Sequence, residues 1–176
     1  MKTIYTILDS TEFNKFKSRI PQISGWWWLR DPGLNPNTVK TVMVQNRINQ
    51  NGEDPKSMYG TLRPVLISDE EIPQKNNQRY YRYNNTDWIF LGKYKGMLYY
   101  ITRTDIGKYR FDKFGNNFET SELSKVLGLW TEYMKQTNGS LSGFSQKVEN
   151  WREVTISPID NKPLSDGLTD ETRAIY

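Results

Sequence analysis

Two arginines alternate with three tyrosines in one short polar stretch, Arg79-Tyr80-Tyr81-Arg82-Tyr83. Guanidinium groups bind phosphates and carboxylates through forked hydrogen bonds, and tyrosine rings stack on nucleic-acid bases. The same two residue types are enriched at the hot spots of protein–protein interfaces. We interpret this stretch as the leading candidate for contact with a macromolecular partner. The structural alternative is a solvated loop whose tyrosines pack locally.

Further cations follow the same stretch along the chain. Between Lys75 and Lys113 there are nine basic and three acidic residues, so this segment carries a net charge of +6, whereas the whole chain carries +4. Such asymmetry indicates a positive face. We expect four of these cations to extend the partner-binding surface of Arg79, Tyr80, Tyr81, Arg82 and Tyr83, namely Lys93, Lys95, Lys108 and Arg110.

The chain contains neither cysteine nor histidine. Disulfides, thiolate metal sites and any Ser-His-Asp or Cys-His mechanism are therefore excluded. The adjacent acidic residues fall in predicted turns or near the carboxyl end, and Glu119 and Glu122 are interpreted as first-turn charges of a helix. The Gly-Lys pairs lack the spacing of a phosphate-binding loop. We expect no catalytic residue, no metal site and no cofactor. A metal-dependent nuclease that uses Asp or Glu remains the enzymatic alternative.

Hydrophobic periodicity predicts the elements that position these side chains. Asp9 and Glu12 form the pattern of a capping box at the start of a first helix. Thr120 is expected to cap a second helix with a strong apolar stripe, and Lys95-Gly96 is expected to join a hairpin. Strands are predicted at residues 3–8, 26–28, 39–44, 61–67, 88–91, 97–102 and 154–156, turns at 31–33 and 51–52, a polar loop at 69–85, and a weaker helix at 141–151.

Aromatic residues dominate the predicted core. Two of the three rings of Trp26-Trp27-Trp28 should be buried in the core. The functional alternative is an aromatic ligand platform, with Trp26 or Trp28 as the exposed member. Arg30 and Arg63 lie on predicted strands beside these rings, so each is expected to stack on a tryptophan or bind a carboxylate. The predicted structural core comprises Trp27, Trp28, Arg30, Arg63, Trp88, Leu123, Leu127 and Trp130.

Two motifs resemble a bacterial and phage domain family of unknown function. The stretches Trp27-Trp28-Leu29-Arg30-Asp31-Pro32-Gly33 and Gly60-Thr61-Leu62-Arg63-Pro64-Val65-Leu66-Ile67 resemble its "WWLRSPG…GVRPAL" core. The stretch from Trp88 to Leu123 resembles the family's opening segment, so the order of the two parts is circularly permuted here. The family is related to C-type-lectin-like and formylglycine-generating-enzyme folds. The enzymatic relatives depend on cysteine, which this chain lacks, so their activity does not transfer.

The resemblance implies an α+β fold, with a twisted antiparallel sheet and flanking helices. We expect one domain over residues 1–157, made of halves 1–68 and 86–157 that the loop 69–85 joins, and an acidic, irregular tail over 158–176. No segment has the length of a signal sequence or a membrane span. We therefore expect a cytoplasmic protein, and the abundance of Asn, Lys, Ile and Tyr is typical of AT-rich bacterial and phage genomes.

The function expected from these patterns is non-enzymatic binding of a protein or a ribonucleoprotein complex, with nucleic acid as an alternative partner. Its small size, basic surface and composition suit a phage-encoded inhibitor of a host defence complex, such as an anti-CRISPR protein in the host cytosol. Carbohydrate binding by a lectin-like domain is a further alternative, which depends on fold analogy alone.

Overall fold

The computed structural model describes residues 1–75, 79–137 and 141–155. Contacts between Cα atoms divide the chain into the units Met1–Gly139 and Ser140–Tyr176. The predicted tail at 158–176 lies outside the described residues. The elements are β1 (Thr3–Thr6), α1 (Ser10–Phe16), β2 (Trp27–Pro32), β3 (Val39–Met43), β4 (Arg47–Glu53), β5 (Val65–Ser68), β6 (Tyr80–Tyr83), β7 (Thr86–Tyr94), β8 (Met97–Thr102), α2 (Glu122–Thr137) and, in the second unit, α3 (Leu141–Thr155).

The strands form two antiparallel sheets. The larger sheet has the order β1-β5-β8-β7-β6, and the smaller sheet has the order β2-β3-β4. Both sheets and two of the three described α-helices belong to the first unit. The expected mixture of α-helices with antiparallel β-structure is confirmed. Within the described residues, no helix is both long and apolar enough to cross a membrane.

The predicted hairpin is confirmed as β7 and β8, with Tyr94 paired to Met97 across a two-residue turn. Lys95 and Gly96 both have positive φ, at 51° and 78°. Two consecutive positive φ angles give the turn a twist that matches the twist of the two strands. Gly92 then interrupts the pairing farther along β7, where the register shifts between Phe90 and Gly92.

The predicted turn at residues 51–52 is wrong, because Asn51 and Gly52 lie inside β4. Val39 pairs with Glu53 whereas Thr41 pairs with Asn49, so β4 carries extra residues opposite β3. Gly52 has a φ of 96° at this bulge. A glycine with positive φ therefore marks a β-bulge here, which turn chemistry alone does not distinguish from a hairpin turn.

The main hydrophobic cluster joins both sheets to α1. Asp9 accepts a hydrogen bond from the Glu12 amide at 2.7 Å, and Glu12 accepts one from the Asp9 amide at 2.9 Å. This confirms the predicted capping box, which fixes the start of α1. The cluster contains Leu8, Phe13, Phe16, Ile20, Trp27, Leu29, Val42, Val65, Ile67, Leu91, Tyr99 and Ile101.

On the other side of the larger sheet, Trp130 of α2 meets Tyr5 of β1 and Trp88 of β7. The Trp130 ring centroid lies 6.3 Å from that of Tyr5 and 6.1 Å from that of Trp88, both near edge-to-face. The predicted apolar stripe of α2 faces inward. Its buried members are Leu123, Val126, Leu127, Trp130 and Met134.

Helix α2 begins one residue later than the sequence indicated. Thr120 belongs to a short 3₁₀ turn, and the Ser121 hydroxyl oxygen instead accepts the hydrogen bond from the Ser124 amide, at 3.0 Å. The helix predicted at 141–151 is confirmed as α3, which continues to Thr155. The strand predicted at 154–156 is therefore wrong for its first two residues, because α3 extends through a short β-branched stretch.

The two predicted core arginines find different partners. Arg63 is fully buried, and its guanidinium carbon lies 5.2 Å from the centre of a Trp27 ring. Arg30 is half-buried and binds the carboxylates of Asp9 and Glu12, each at 3.0 Å. Each thus makes one of the two expected interactions. Among the other predicted core residues, all are buried, namely Trp27, Trp28, Trp88, Leu123, Leu127 and Trp130, whereas Trp26 is half-exposed.

Tyr99 is a titratable residue in the same core, and its contribution to stability can be tested. Its hydroxyl donates to the Glu12 carboxylate at 2.9 Å, and burial followed by this bond raises the pKa of Tyr99. We expect Tyr99→Phe to lower the free energy of unfolding by about 1.5–3 kcal/mol at neutral pH, because a hydrogen bond to a charged acceptor is lost. Urea denaturation followed by tryptophan fluorescence measures this change.

The pH dependence of this effect has a definite sign. A folded-state pKa above the ordinary value of 10.0 means that the contribution of Tyr99 is complete below pH 10.0 and is lost as the pH rises further. The difference between wild type and Tyr99→Phe should therefore shrink above that pH. A difference that stays constant into strong alkali would contradict the assignment.

Candidate functional site

Strand β6 carries the candidate arginine–tyrosine stretch and forms one edge of the larger sheet. The polar loop predicted at 69–85 is therefore wrong for residues 80–83. Asn84 and Asn85, with φ of 51° and 55°, make the tight turn to β7. Their side-chain amides donate to the carbonyls of Thr131 at 3.1 Å and Met134 at 2.6 Å. These bonds fasten the turn to α2.

Because side chains alternate along a strand, β6 divides its residues between two faces. Tyr80 and Arg82 project on one face, whereas Tyr81 and Tyr83 project on the other. All four residues were predicted to lie on one partner-binding surface. The strand geometry separates them.

On the first face, two guanidinium groups share one carboxylate. Arg82 Nη1 lies 3.1 Å from Asp87 Oδ1, and Arg103 Nη1 lies 3.4 Å from Asp87 Oδ2. The Arg103 guanidinium carbon also lies 4.1 Å from the centre of the Tyr80 ring. Both arginine side chains remain accessible, at 37% for Arg82 and 50% for Arg103, and Arg79 is exposed next to Tyr80.

We call Arg79, Tyr80, Arg82, Asp87 and Arg103 the arginine edge. It carries three cations and one anion. Sequence reasoning counted Arg103 among the cations but did not assign it to the surface, because the pairing of the strands, and no pattern in the sequence, brings it there. In the antiparallel register Arg82 lies opposite Asp87, and Trp88 lies opposite Thr102, so Arg103 follows directly at the end of β8.

On the second face, Tyr81 is held by neighbours within the protein. Its ring centroid lies 5.4 Å from that of Tyr100 and 6.4 Å from that of Phe90. Its hydroxyl donates to Glu71 at 3.2 Å, and Lys75 Nζ lies 5.3 Å from the ring centre. Desolvation, followed by the bond to Glu71, raises the pKa of Tyr81. Tyr81 therefore packs locally, as the structural alternative expected.

Tyr83 shares this face with Tyr81. The Tyr83 carbonyl accepts a hydrogen bond from the Trp88 indole at 3.0 Å. The outer backbone of β6 is partly covered, because the Arg82 amide donates to the Gln74 carbonyl at 2.8 Å. The exposed chemistry of the edge thus belongs to side chains more than to backbone groups.

The two lysines of the β7–β8 hairpin do not join the arginine edge. Tyr80 pairs with Ile89, so Lys93 lies four residues farther along β7, about 13 Å at the usual rise per residue. Lys95 lies in the hairpin turn, with its Nζ 5.3 Å from the ring centre of Tyr94. Both side chains are at the far end of the hairpin.

The last two predicted cations lie in the segment that follows β8. Lys108 is exposed, and its backbone pairs with Thr61, which in turn pairs with Trp27 of the smaller sheet. Arg110 turns inward, with its Nη2 2.9 Å from Glu122 Oε1, and Glu122 is only 3% exposed. The nine residues predicted as one partner-binding surface are therefore dispersed, and the arginine edge retains three of them.

Apart from the arginine edge, charged side chains also gather around a shallow cavity of about 440 Å³. It is lined by Asp9, Arg30, Asp31, Pro32 and 116–119. Arg30 neutralises Asp9, while Asp31 accepts from Ser10 and lies 3.5 Å from Lys40. The carboxylates of Asp9 and Asp31 thus stabilise the start of α1. Among the described residues, no cluster of three or more acidic side chains is suited to hold a metal ion.

Comparisons of the chain with protein-family models, with curated proteins and with solved structures gave no match.

Proposed function

We propose that this chain is a non-enzymatic binding module that engages a protein or ribonucleoprotein partner through the arginine edge. The observation that carries the proposal is the pair of exposed guanidinium groups of Arg82 and Arg103, which share the single carboxylate of Asp87. One carboxylate neutralises one of the two cations. The remaining positive charge of this pair favours an anionic partner surface.

The arginine edge is also held in place before binding. Asp87 and the Tyr80 ring restrain Arg103, and the turn between β6 and β7 is bonded to α2. Ordering a long side chain at an interface costs about 0.5–1.5 kcal/mol, so restraint in the free protein reduces this cost. Arginine and tyrosine together are the side chains that most often dominate interface energy.

The finer proposal concerns the partner. We propose a host defence complex such as a CRISPR effector, with this chain acting in the bacterial cytosol as a phage-encoded inhibitor. The small size, the net charge of +4 and the abundance of Asn, Lys, Ile and Tyr support it. Effector complexes expose phosphates and acidic side chains, which are the groups that the arginine edge would bind.

We also propose that the fold is a circular permutation within the C-type-lectin-like group. One contact supports the resemblance on which this proposal depends. The stretch that contains Trp27 and the stretch that contains Arg63 resemble two parts of one family core, and these two side chains lie against each other at 5.2 Å. A permuted chain keeps such a contact while changing where the chain begins.

The test of function compares two triple variants with equal loss of charge. The edge variant is Arg79→Gln, Arg82→Gln and Arg103→Gln, and the matched control is Lys93→Gln, Lys95→Gln and Lys108→Gln. We expect the edge variant to retain a purified CRISPR effector complex at least about thirtyfold less tightly, since hot-spot side chains contribute about 2 kcal/mol or more. Surface plasmon resonance at physiological salt measures both affinities.

Three results would contradict the proposal. If the edge variant binds as the wild type does, or if the control loses as much affinity, the arginine edge is not the binding surface. Mg²⁺-dependent cleavage of RNA or DNA by clean protein would overturn the non-enzymatic assignment. Thermal unfolding of both variants should stay near that of the wild type, because all six side chains lie at the surface.

A further inference from the structure

A second surface site lies where three loops meet. It is a cavity of about 420 Å³, and we call it the three-loop pocket. It is lined by Pro36, Asn37, Thr38, Asp54, Pro55, Lys56, Lys113 and Phe114. None of these residues belongs to the arginine edge or to the carboxylates around α1.

Backbone hydrogen bonds hold the three loops together. The Pro55 carbonyl accepts from the amides of Phe111 at 2.9 Å and Asp112 at 3.1 Å. The side-chain amide of Asn116 donates to the Thr38 carbonyl at 3.2 Å. Since each loop is bonded to another, the pocket exists before any ligand arrives. Preformed concave sites of about 300–1,000 Å³ are typical for small ligands.

Positive charge predominates in the pocket lining. Among the lining residues, Lys56 is exposed and Lys113 is half-buried, and Asp54 supplies one carboxylate. Glu122, which is outside the lining, acts electrostatically on Lys113 as well. The Asp54 carboxylate accepts a hydrogen bond from the Lys56 backbone amide at 2.9 Å, which holds it in its own turn. Desolvation, followed by repulsion from Arg110, lowers the pKa of Lys113. A bound anion would favour the charged form of this ammonium group.

An exposed aromatic ring stands beside these cations. Phe114 is 80% exposed and lines the same pocket. Other large apolar side chains with unusual exposure lie within three residues of these loops, at 72% for Leu34, 44% for Met58 and 71% for Tyr59. A concentration of exposed apolar groups marks a binding surface. A flat ring beside two ammonium groups suits a ligand that carries both a planar base and a phosphate.

We propose that the three-loop pocket binds a nucleotide unit, with the base stacked on Phe114 and the phosphate between Lys56 and Lys113. Such a unit can come from a free nucleotide or from a single-stranded nucleic acid. Both sources supply the same phosphate and the same planar ring. The two sources differ in how many nucleotide units are needed for measurable affinity, which is one for a free nucleotide and several for a strand.

The test uses adenosine monophosphate and an oligouridylate of eight nucleotides, each titrated into the full chain. Amide chemical shifts in ¹H–¹⁵N spectra should change at residues 54, 56 and 113–115. We expect Phe114→Ala to weaken binding about fivefold or more, the effect of losing one stacked base. Phe114→Tyr keeps the ring and should bind as the wild type does. Lys56→Gln with Lys113→Gln should weaken binding further, whereas the control Lys15→Gln with Lys17→Gln should not.

The two probes distinguish the sources. Binding of adenosine monophosphate supports a free nucleotide, and binding of the oligouridylate alone supports a strand. No shift at these residues with either probe at millimolar concentration would overturn the proposal, as would undiminished binding by Phe114→Ala. The triple arginine-edge variant should still bind both probes at the pocket, so failure here and failure of the proposed function are separate results.

Discussion

Replacing Arg63 by alanine should lower the free energy of unfolding by about 3–5 kcal/mol. The Arg63 side chain is fully buried and donates to three backbone carbonyls, those of Thr102 at 3.2 Å, Pro21 at 2.9 Å and Arg103 at 3.3 Å. Its removal leaves these carbonyls without their donor and opens a cavity beside Trp27. Desolvation lowers the pKa of Arg63 to about 10, so the buried charge itself is costly.

The sizes of two opposing free-energy contributions decide whether Arg63→Ala stabilises or destabilises the protein. Desolvation of the charge opposes folding, but one unsatisfied buried polar group costs about 1–3 kcal/mol, and three are created together with a cavity. Arg63→Met separates the two contributions, because methionine fills most of the volume but donates no hydrogen bond. We expect it to recover only the cavity part of the loss. Arg47→Ala is the control, since Arg47 is exposed on β4 and its loss should change stability by less than about 0.5 kcal/mol.

Urea denaturation followed by tryptophan fluorescence gives these differences from the midpoints at unchanged slope. Equal midpoints for Arg63→Ala and Arg47→Ala would show that the three carbonyl bonds add nothing. If Arg63→Met were as stable as the wild type, the hydrogen bonds would be dispensable and only the volume would matter.

We expect a loss of similar size, about 3–5 kcal/mol, for Trp130→Ala. Trp130 is fully buried and contacts Tyr5 and Trp88 from α2. Its truncation removes the largest side chain that connects α2 to the larger sheet. The turn between β6 and β7 bonds to α2 through Asn84 and Asn85, so the arginine edge should lose its support as well.

Trp130→Phe is the matched control. Among the described residues the buried indole Nε1 of Trp130 has no hydrogen-bond acceptor, so phenylalanine removes an unsatisfied donor while it keeps an aromatic ring. We expect a loss of only about 1 kcal/mol, since the smaller area and the removed polar cost partly cancel. Calorimetric unfolding measures both variants. A larger loss for phenylalanine than for alanine would contradict the packing described for α2.

Sequence patterns predicted the structure correctly where it depends on interactions between residues close together in the chain. The capping box of Asp9 and Glu12, the positive-φ turn at Lys95-Gly96 and the apolar stripe of α2 all depend on neighbours a few residues apart. Each was predicted, and each is present. The misplaced cap of α2 differs by one residue, because Thr120 and Ser121 are chemically equivalent as caps.

Sequence patterns gave wrong predictions where pairing between distant segments of the chain determines the structure. Residues 80–83 are polar and rich in tyrosine, and they form a strand because β7 supplies an edge to pair with. That pairing separates Tyr80 from Tyr81 and brings in Arg103. The clustering of cations along the chain therefore predicted too large a partner-binding surface. Arg110, for example, binds a buried carboxylate that no spacing in the sequence indicates.

The strand order of the larger sheet has a consequence for how the chain assembles. Strand β1 is made before the other strands of the larger sheet. Among the described strands it pairs only with β5, where Thr3 faces Ser68, and β5 pairs next with β8. The β7–β8 hairpin closes through two residues, and such closure takes about 1–10 μs. Distant pairings close large loops and come later. We therefore expect the middle of the chain to nucleate folding and the amino-terminal strand to dock last, so a nascent chain that ends before β8 would have no larger sheet.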